Sequence, residues 1–155
     1  MNLNIVLFQP EIPQNTGNIG RTCVLTNSKL HLIKPLGFSL EEKDVKRAGL
    51  DYWNSLDIEI HESYEDLREK YKDGTFYFCT TKGDKFYSDV EFKEGDFLVF
   101  GRESKGLPEY IRDENKGNLI RVPMIDTTTR SLNLSNTVAI IAYEGLRQIG
   151  FKGMK

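Results

Sequence analysis

The chain has 155 residues, of which 39% are hydrophobic and 28% are charged, so it is long enough for one domain with a proper core and too short for two. This composition excludes a disordered chain, and no stretch approaches the roughly 20 apolar residues that a membrane helix requires. The net charge of −2 leans slightly against a nucleic-acid partner, because phosphate binding usually needs a basic excess. A local basic patch is still compatible with it, since Lys34, Lys43, Lys46 and Arg47 lie close together.

The cellular compartment is indicated by the first residues and by the cysteines. Residues 1–4 lack the basic start and the cleavage site of a signal peptide. Cys23 and Cys79 each lie inside an apolar run, so we expect two buried, reduced thiols and no disulfide. These features predict a cytoplasmic protein without a membrane partner.

Short apolar runs alternate with helical patterns along the chain. The patterns predict strands over residues 4–9, 30–33, 58–60, 76–80, 97–100 and 119–122, and helices over about 15–26, 64–71 and 133–150. Ser63 is the expected N-cap of the second helix. This alternation predicts one α/β domain over residues 1–155, with a mainly parallel sheet flanked by helices.

Three polar segments follow or adjoin predicted strands, where ligands bind in open α/β sheets. The first covers residues 10–21. On a helix that begins near Asn15, Asn18 and Arg21 share a face, and Arg21 points away from Ile19 and Cys23. An arginine beside amides suits phosphate or carboxylate binding, and a solvated helix start with an exposed arginine fits the pattern equally well.

The second polar segment covers residues 101–108, directly after a predicted strand. Gly101 and Gly106 have the spacing of a phosphate-binding P-loop, but Leu107 occupies the position where that motif needs a lysine. No Gly-x-Gly-x-x-Gly follows the first strand, so a classical dinucleotide fold has no support. The segment alone is a weak signal.

The third polar segment covers residues 120–136 and leads into the last helix. Ser131, Asn133, Ser135 and Asn136 fall within six positions, although a helix needs only one such capping side chain. The surplus of hydrogen-bonding groups predicts a ligand site in front of this helix.

The three segments together resemble the SPOUT class of RNA methyltransferases, most closely the small tRNA 2′-O-methyltransferases that modify the wobble nucleotide. The resemblance depends on PEIPQNTGN over residues 10–18 with Arg21, on FGxExxGLP over residues 100–108, and on VPM over residues 122–124 followed by SLNLSN over residues 131–136. It covers essentially the whole chain, and the three motifs in this order are specific.

The resemblance implies an α/β fold whose C-terminal segment forms a trefoil knot. It also implies S-adenosyl-L-methionine as methyl donor, no metal, a tRNA anticodon stem-loop as substrate, and a homodimer formed by the first and last helices. The residues implied as cofactor-binding are Thr80, Gly101, Val122, Met124, Ser131 and Leu132.

The resemblance also indicates residues for catalysis and substrate binding. Arg21 is the family's candidate for activating the ribose 2′-hydroxyl. Because a guanidinium stays protonated, we assign Arg21 instead to holding the target phosphate and ribose. Tyr143 is a second candidate, although a half-buried interface tyrosine fits that position equally well. The implied substrate-binding residues are Asn15, Asn18, Glu103, Asn133 and Ser135, with Glu103 orienting Arg21 or its own loop.

Two alternatives stay open at the level of sequence. A non-enzymatic, doubly wound nucleotide-binding module fits the strand–helix alternation, but it predicts an acidic or phosphate-binding cluster after the first strand, where this chain has Gln9 and Pro10. A SPOUT enzyme for a base nitrogen or for another RNA position is the second alternative, and residues 15–21 favour ribose methylation over it.

Overall fold

The structure of the protein is a computed structural model that describes residues 1–41, 53–125 and 131–155. Lys43, Lys46 and Arg47, which contribute most of the basic cluster expected from the sequence, lie outside the described residues.

A seven-stranded sheet forms the centre of the described structure. Its strands are β1 (Asn4–Phe8), β2 (Lys29–Ile33), β3 (Ile58–His61), β4 (Phe76–Cys79), β5 (Lys85–Phe86), β6 (Phe97–Phe100) and β7 (Leu119–Arg121). They lie in the order β3-β2-β1-β6-β4-β7-β5, and every pairing is parallel. The predicted parallel α/β sheet is therefore confirmed.

Within the described ranges, four α-helices connect or cover these strands: α1 (Pro13–Leu25), α2 (Tyr64–Lys70), α3 (Glu109–Glu114) and α4 (Leu134–Gln148). Ser63 caps α2 as expected, because its side chain accepts from the backbone N–H of Asp66 at 3.0 Å. Helix α1 begins two residues earlier than predicted, at Pro13. Proline suits the first turn of a helix because it lacks an N–H, and an N–H in that turn has no hydrogen-bond partner within the helix. Strand β5 and helix α3 were not predicted.

The two faces of the sheet bury separate apolar clusters. Ile5 and Leu7 of β1 point to the face that α1 and α4 cover, whereas Val6 and Phe8 point to the face covered by α2 and α3. The unbroken apolar run of β1 is thus explained by burial on both sides. Since α1 and α4 pack in the same cluster, they bring the first and third polar segments to the same side of the sheet.

Both thiols are free, with Cys23 buried and Cys79 half-buried. Burial raises the pKa of both, that of Cys79 to about 12, so each stays protonated near neutral pH. None of the helices in the described ranges combines the length and the apolarity needed to cross a membrane.

Candidate active site

A pocket of about 560 Å³ opens at the carboxyl ends of β4, β6 and β7. Its volume falls within the range of small-molecule sites, which is roughly 300–1,000 Å³. All the residues predicted to bind the cofactor line this pocket, namely Thr80, Gly101, Val122, Met124, Ser131 and Leu132. The structure therefore brings them together, and their contact with a cofactor stays a prediction.

The pocket loop, residues 101–106, follows β6 and folds back tightly on itself. The backbone N–H of Gly106 donates to the carbonyl of Arg102 at 2.9 Å, and Arg102 returns a bond to Gly106. A Cβ on Gly101 would lie 2.3 Å from the carbonyl carbon of Gly106, so only glycine fits at this close approach. The glycine spacing seen in the sequence thus closes a loop on the pocket wall.

The connection from β4 to β5 forms another wall and crosses the end of β7. The N–H of Thr80 donates to the carbonyl of Ile120 at 2.9 Å. A Cβ on Gly83 would lie 2.7 Å from the carbonyl carbon of Ile120, so this connection runs directly against the backbone of β7. The β4–β5 connection therefore contacts the backbone of β7 directly, beside the pocket.

Glu103 joins the pocket loop to the start of α1. Its Oε1 accepts from the backbone N–H of Glu11 at 2.9 Å, and its Oε2 accepts from that of Ile12 at 2.9 Å. The same Oε2 accepts from Nδ2 of Asn15 at 3.2 Å. Ile12 is the N-cap residue of α1, and its side chain cannot accept a hydrogen bond. The carboxylate of Glu103, from a distant segment, is therefore the acceptor at this helix N-terminus. These bonds are the ones expected if Glu103 orients its loop, and its role in the site stays a prediction.

Asn133 extends this network to α4. Its Nδ2 donates to Oδ1 of Asn15 at 3.2 Å. Its own Oδ1 accepts from the backbone N–H of Ser135 at 2.8 Å and from the hydroxyl of Ser135 at 2.6 Å, which caps the helix. Asn15 is only 5% exposed, and both ends of its amide are occupied by Glu103 and Asn133. The three polar segments are therefore joined by side-chain hydrogen bonds, and direct contact of these residues with a substrate stays a prediction.

Arg21, Asn18 and Tyr143 do not line the pocket. Arg21 is exposed on α1 while Ile19 and Cys23 are buried, so its predicted orientation is confirmed. Tyr143 is 43% exposed on α4, and Asn18 is also exposed. The roles assigned to these three side chains stay predictions.

The charged residues that line the pocket are mostly cations. They comprise Lys82, Arg102, Lys105, Arg112 and Arg121, against the single carboxylate of Glu103. This local excess answers the objection raised by the net charge of −2, because Glu103 is the only acidic residue of the described ranges that lines the pocket. Arg121 was missed in the sequence, and its Nε is buried with no hydrogen-bond partner among the described residues.

A polar cluster away from the pocket contains a possible metal-ligand set. Ligand atoms of His31, Glu59 and His61 lie within 4.8 Å of one another. Nδ1 of His31 lies 3.0 Å from Nε2 of His61, and Nε2 of His31 lies 2.8 Å from Oδ1 of Asn4. Burial lowers the pKa of His31 to about 3, so both contacts are those of a neutral, hydrogen-bonded imidazole.

Glu59 is already neutralised by its neighbours. It accepts from Lys29 at 3.0 Å, from Tyr71 at 2.6 Å and from Lys70. Burial alone would raise the pKa of Glu59, but these donors outweigh it and lower the pKa to about 2. Two ammonium groups on one carboxylate disfavour a dication, so this cluster fits a structural hydrogen-bond network, and the expected absence of a metal stays a prediction.

Comparison with known proteins identifies the family. The profile of the SpoU rRNA Methylase family matches residues 2–143. The chain belongs to the SpoU rRNA Methylase family. This confirms the resemblance to RNA methyltransferases that the three motifs indicated.

Members and structural neighbours of the SpoU family match over nearly the whole chain. The tRNA (cytidine(34)-2′-O)-methyltransferase of Methylovorus glucosotrophus (strain SIP3-4) is 50% identical over 151 residues, which cover 97% of each chain. A structure from work on the 2-OH methylation of C/U34 on tRNA matches with a TM-score of 0.90 and 42% identity over 95% of each chain. The AdoMet-bound rRNA methyltransferase of Sinorhizobium meliloti, at 23% identity and a TM-score of 0.84, covers 96% of this chain and 57% of its own length, and shows the shared fold.

Proposed function

We propose that this protein is an S-adenosylmethionine-dependent tRNA 2′-O-ribose methyltransferase that acts on the wobble nucleotide of the anticodon, a cytidine or a modified uridine. The observation that carries the proposal is the joining of the three polar segments at one pocket through Glu103, Asn15 and Asn133. The 50% identity to a tRNA (cytidine(34)-2′-O)-methyltransferase over nearly the full length supports the choice of substrate. A tRNA substrate also fits the cytoplasmic location expected from the thiols.

The pocket residues fit the proposed methyl donor in shape and polarity. Val122 is 9% exposed and faces the pocket together with Leu132, which provides apolar contact for an adenine ring. The unpartnered Nε of Arg121 provides a buried donor for a carboxylate. When bound, S-adenosylmethionine supplies an electrophilic methyl group on a sulfonium. The AdoMet complex of a protein with the same fold supports this assignment.

The chain's own residues would hold the RNA and orient its ribose. The cations around the pocket attract backbone phosphates, and Arg21, with Tyr143 as a second contact, holds the target nucleotide. Because a guanidinium stays protonated, Arg21 acts by positioning and charge and not as a base. Placing the 2′-oxygen in line with the methyl carbon is then the main contribution to the rate.

The proposal includes a homodimer and a knotted, single-domain fold. Arg21 and Tyr143 lie on α1 and α4, outside the pocket, so a second subunit placed on these two helices would offer Arg21 to the neighbouring pocket. The close passage of the β4–β5 connection across β7 supports the threading of the C-terminal segment through a loop. One core on each face of one sheet supports a single domain.

The test has a binding arm and a reaction arm. Calorimetric titration with S-adenosylmethionine should show one site per chain. Incubation with labelled donor and total tRNA, followed by nucleoside mass spectrometry, should yield 2′-O-methylcytidine or 2′-O-methyluridine. An anticodon stem-loop with 2′-deoxyribose at position 34 should accept no methyl group, whereas the matched all-ribose stem-loop should be modified.

Each arm has an outcome that contradicts the proposal. No binding of the donor would refute the assignment of the pocket. A methylated base would refute ribose chemistry, and equal modification of the deoxy and ribose stem-loops would refute position 34 and leave a SPOUT-type enzyme for another RNA position.

A further inference from the structure

We propose that Glu11 is a positioning residue for methyl transfer, and that with Ser104 it fixes the orientation of α1 relative to the pocket loop. The proposal rests on the proposed function, because the geometry that it protects is that of the transfer reaction. Neither residue was identified as functional from the sequence.

Glu11 and Ser104 form one half of a reciprocal clamp. Oε1 of Glu11 accepts from the backbone N–H of Ser104 at 2.9 Å and from its hydroxyl at 2.8 Å, and Oε2 accepts from the same hydroxyl at 3.0 Å. In the opposite direction, Glu103 accepts from the backbone of Glu11 and Ile12. Each segment thus provides a carboxylate that accepts hydrogen bonds from the other segment, although the two segments are separated by about 90 positions in the sequence.

A second carboxylate adds what Glu103 alone does not provide. Glu103 attaches the two segments through one carboxylate. Glu11 attaches them again in the reverse direction, so that two points of attachment, in place of one, oppose a tilt of α1 relative to the loop. Because hydrogen bonds from Ser104 lower the pKa of Glu11, its carboxylate is ionised and accepts these bonds at neutral pH.

The tilt matters because Arg21 lies further along α1, and in the proposed dimer the direction of α1 sets where Arg21 meets the neighbouring pocket. With a rise of 1.5 Å per residue, Arg21 is roughly 13 Å along the axis from Ile12, so a tilt of about 5° moves its backbone by roughly 1 Å. A misplacement of that size in a bound complex costs up to about 10²-fold in rate. Glu11 itself does not line the pocket, so its loss removes no direct contact with the donor.

The experiment compares Glu11→Ala, Glu11→Gln, Ser104→Ala and the double variant Glu11→Ala/Ser104→Ala in the full chain. The control is Glu94→Ala, since Glu94 is an exposed glutamate paired with Lys152. It precedes the amino end of β6, whereas the pocket opens at the carboxyl ends of the strands. The measurements are kcat and KM for the all-ribose anticodon stem-loop, the dissociation constant of S-adenosylmethionine, and Tm.

We expect Glu11→Ala to lower kcat about tenfold, with the donor's dissociation constant within about twofold of wild type and Tm close to that of the control. Glu11→Gln should recover part of kcat, because its amide oxygen still accepts from Ser104. The double variant should be no slower than Glu11→Ala, since both changes break the same contact.

Three results would overturn the positioning role: an unchanged kcat in Glu11→Ala, losses that multiply in the double variant, or a loss of kcat matched by equal losses of donor affinity or Tm. All three results are measured relative to an active wild-type protein. They would therefore refute the role of Glu11 without refuting the proposed function. An inactive wild type would refute the proposed function itself.

Discussion

Asn133→Asp and Asn133→Ala remove different subsets of the hydrogen bonds at the start of α4. Aspartate keeps the oxygen that caps the helix at Ser135, but loses the Nδ2 donor to Asn15. Asn15 cannot compensate by rotating its amide, because its Nδ2 would then turn away from Glu103. Alanine loses both the cap and the link, so the pair of variants separates the stability of α4 from the assembly of the site.

The magnitudes follow from these contacts. Loss of an N-cap costs about 1 kcal/mol and loss of the hydrogen bond to Asn15 costs about 0.5–1 kcal/mol more, so Asn133→Ala should lower Tm by about 3–8 °C in a domain of this size. In Asn133→Asp, a gain of about 0.3–1 kcal/mol from a negative charge at the helix N-terminus offsets a lost hydrogen bond of similar size, so Tm should stay within about 2 °C of wild type. Both variants should lower kcat/KM at least about fivefold, the factor that corresponds to about 1 kcal/mol.

Thermal unfolding followed by circular dichroism and methyl transfer to the anticodon stem-loop measure the two effects. Asn136→Ala is the stability control, because it keeps the backbone N–H that donates to the cap. Full activity of Asn133→Asp would refute the role of the link to Asn15. An unchanged Tm for Asn133→Ala would refute the cap.

Three further predictions concern other parts of the molecule. Arg21→Ala should lower kcat/KM at least about tenfold without weakening donor binding. If Arg21 serves the partner's pocket, mixing this variant with Asn133→Asp should restore activity, because a mixed dimer contains one pocket with both residues intact. No recovery in mixed dimers would place Arg21 in the site of its own subunit. Gly101→Ala should weaken donor binding at least about tenfold, measured by calorimetry, because its Cβ would collide with Gly106, and unchanged affinity would contradict the close approach. Glu59→Gln should lower the free energy of unfolding by up to about 3 kcal/mol at pH 7, since the pKa of Glu59 falls from 4.5 to about 2 on folding. The stability due to Glu59 is present above pH 4.5 and is lost as the pH falls toward 2, so urea titrations should show the wild-type advantage shrinking over that range; an advantage independent of pH would refute the ion-pair explanation.

The elements predicted correctly from the sequence are those with a strong local signal. The apolar run of β1 and the Ser63 cap of α2 are such signals. Strand β5 has only two residues, both exposed, so it shows neither alternation nor burial. Helix α3 has six residues and begins after Pro108, which provides no side-chain cap. Short elements of this kind depend on tertiary contacts and leave little trace in sequence.

The candidate site was predictable in its location but not in its connections. Parallel strands place their carboxyl ends at one edge, so the polar segments after β1, β6 and β7 were expected to meet. That Asn15 would be shared by Glu103 and Asn133 was not predictable, because these partners lie 88 and 118 residues away and each has other polar neighbours. The basic lining of the pocket was also not predictable, because its cations come from four segments that are separated in the sequence.

The long separations within the Glu103–Asn15–Asn133 network also determine when the site can exist. Its last member, Asn133, belongs to the N-cap of the final helix, and the first, Asn15, is made more than a hundred residues earlier. During synthesis, the emerging chain presents Asn15 and Glu103 long before their last partner leaves the ribosome. The hydrogen-bond network of the candidate site is therefore complete only after α4 has been made and has packed beside α1.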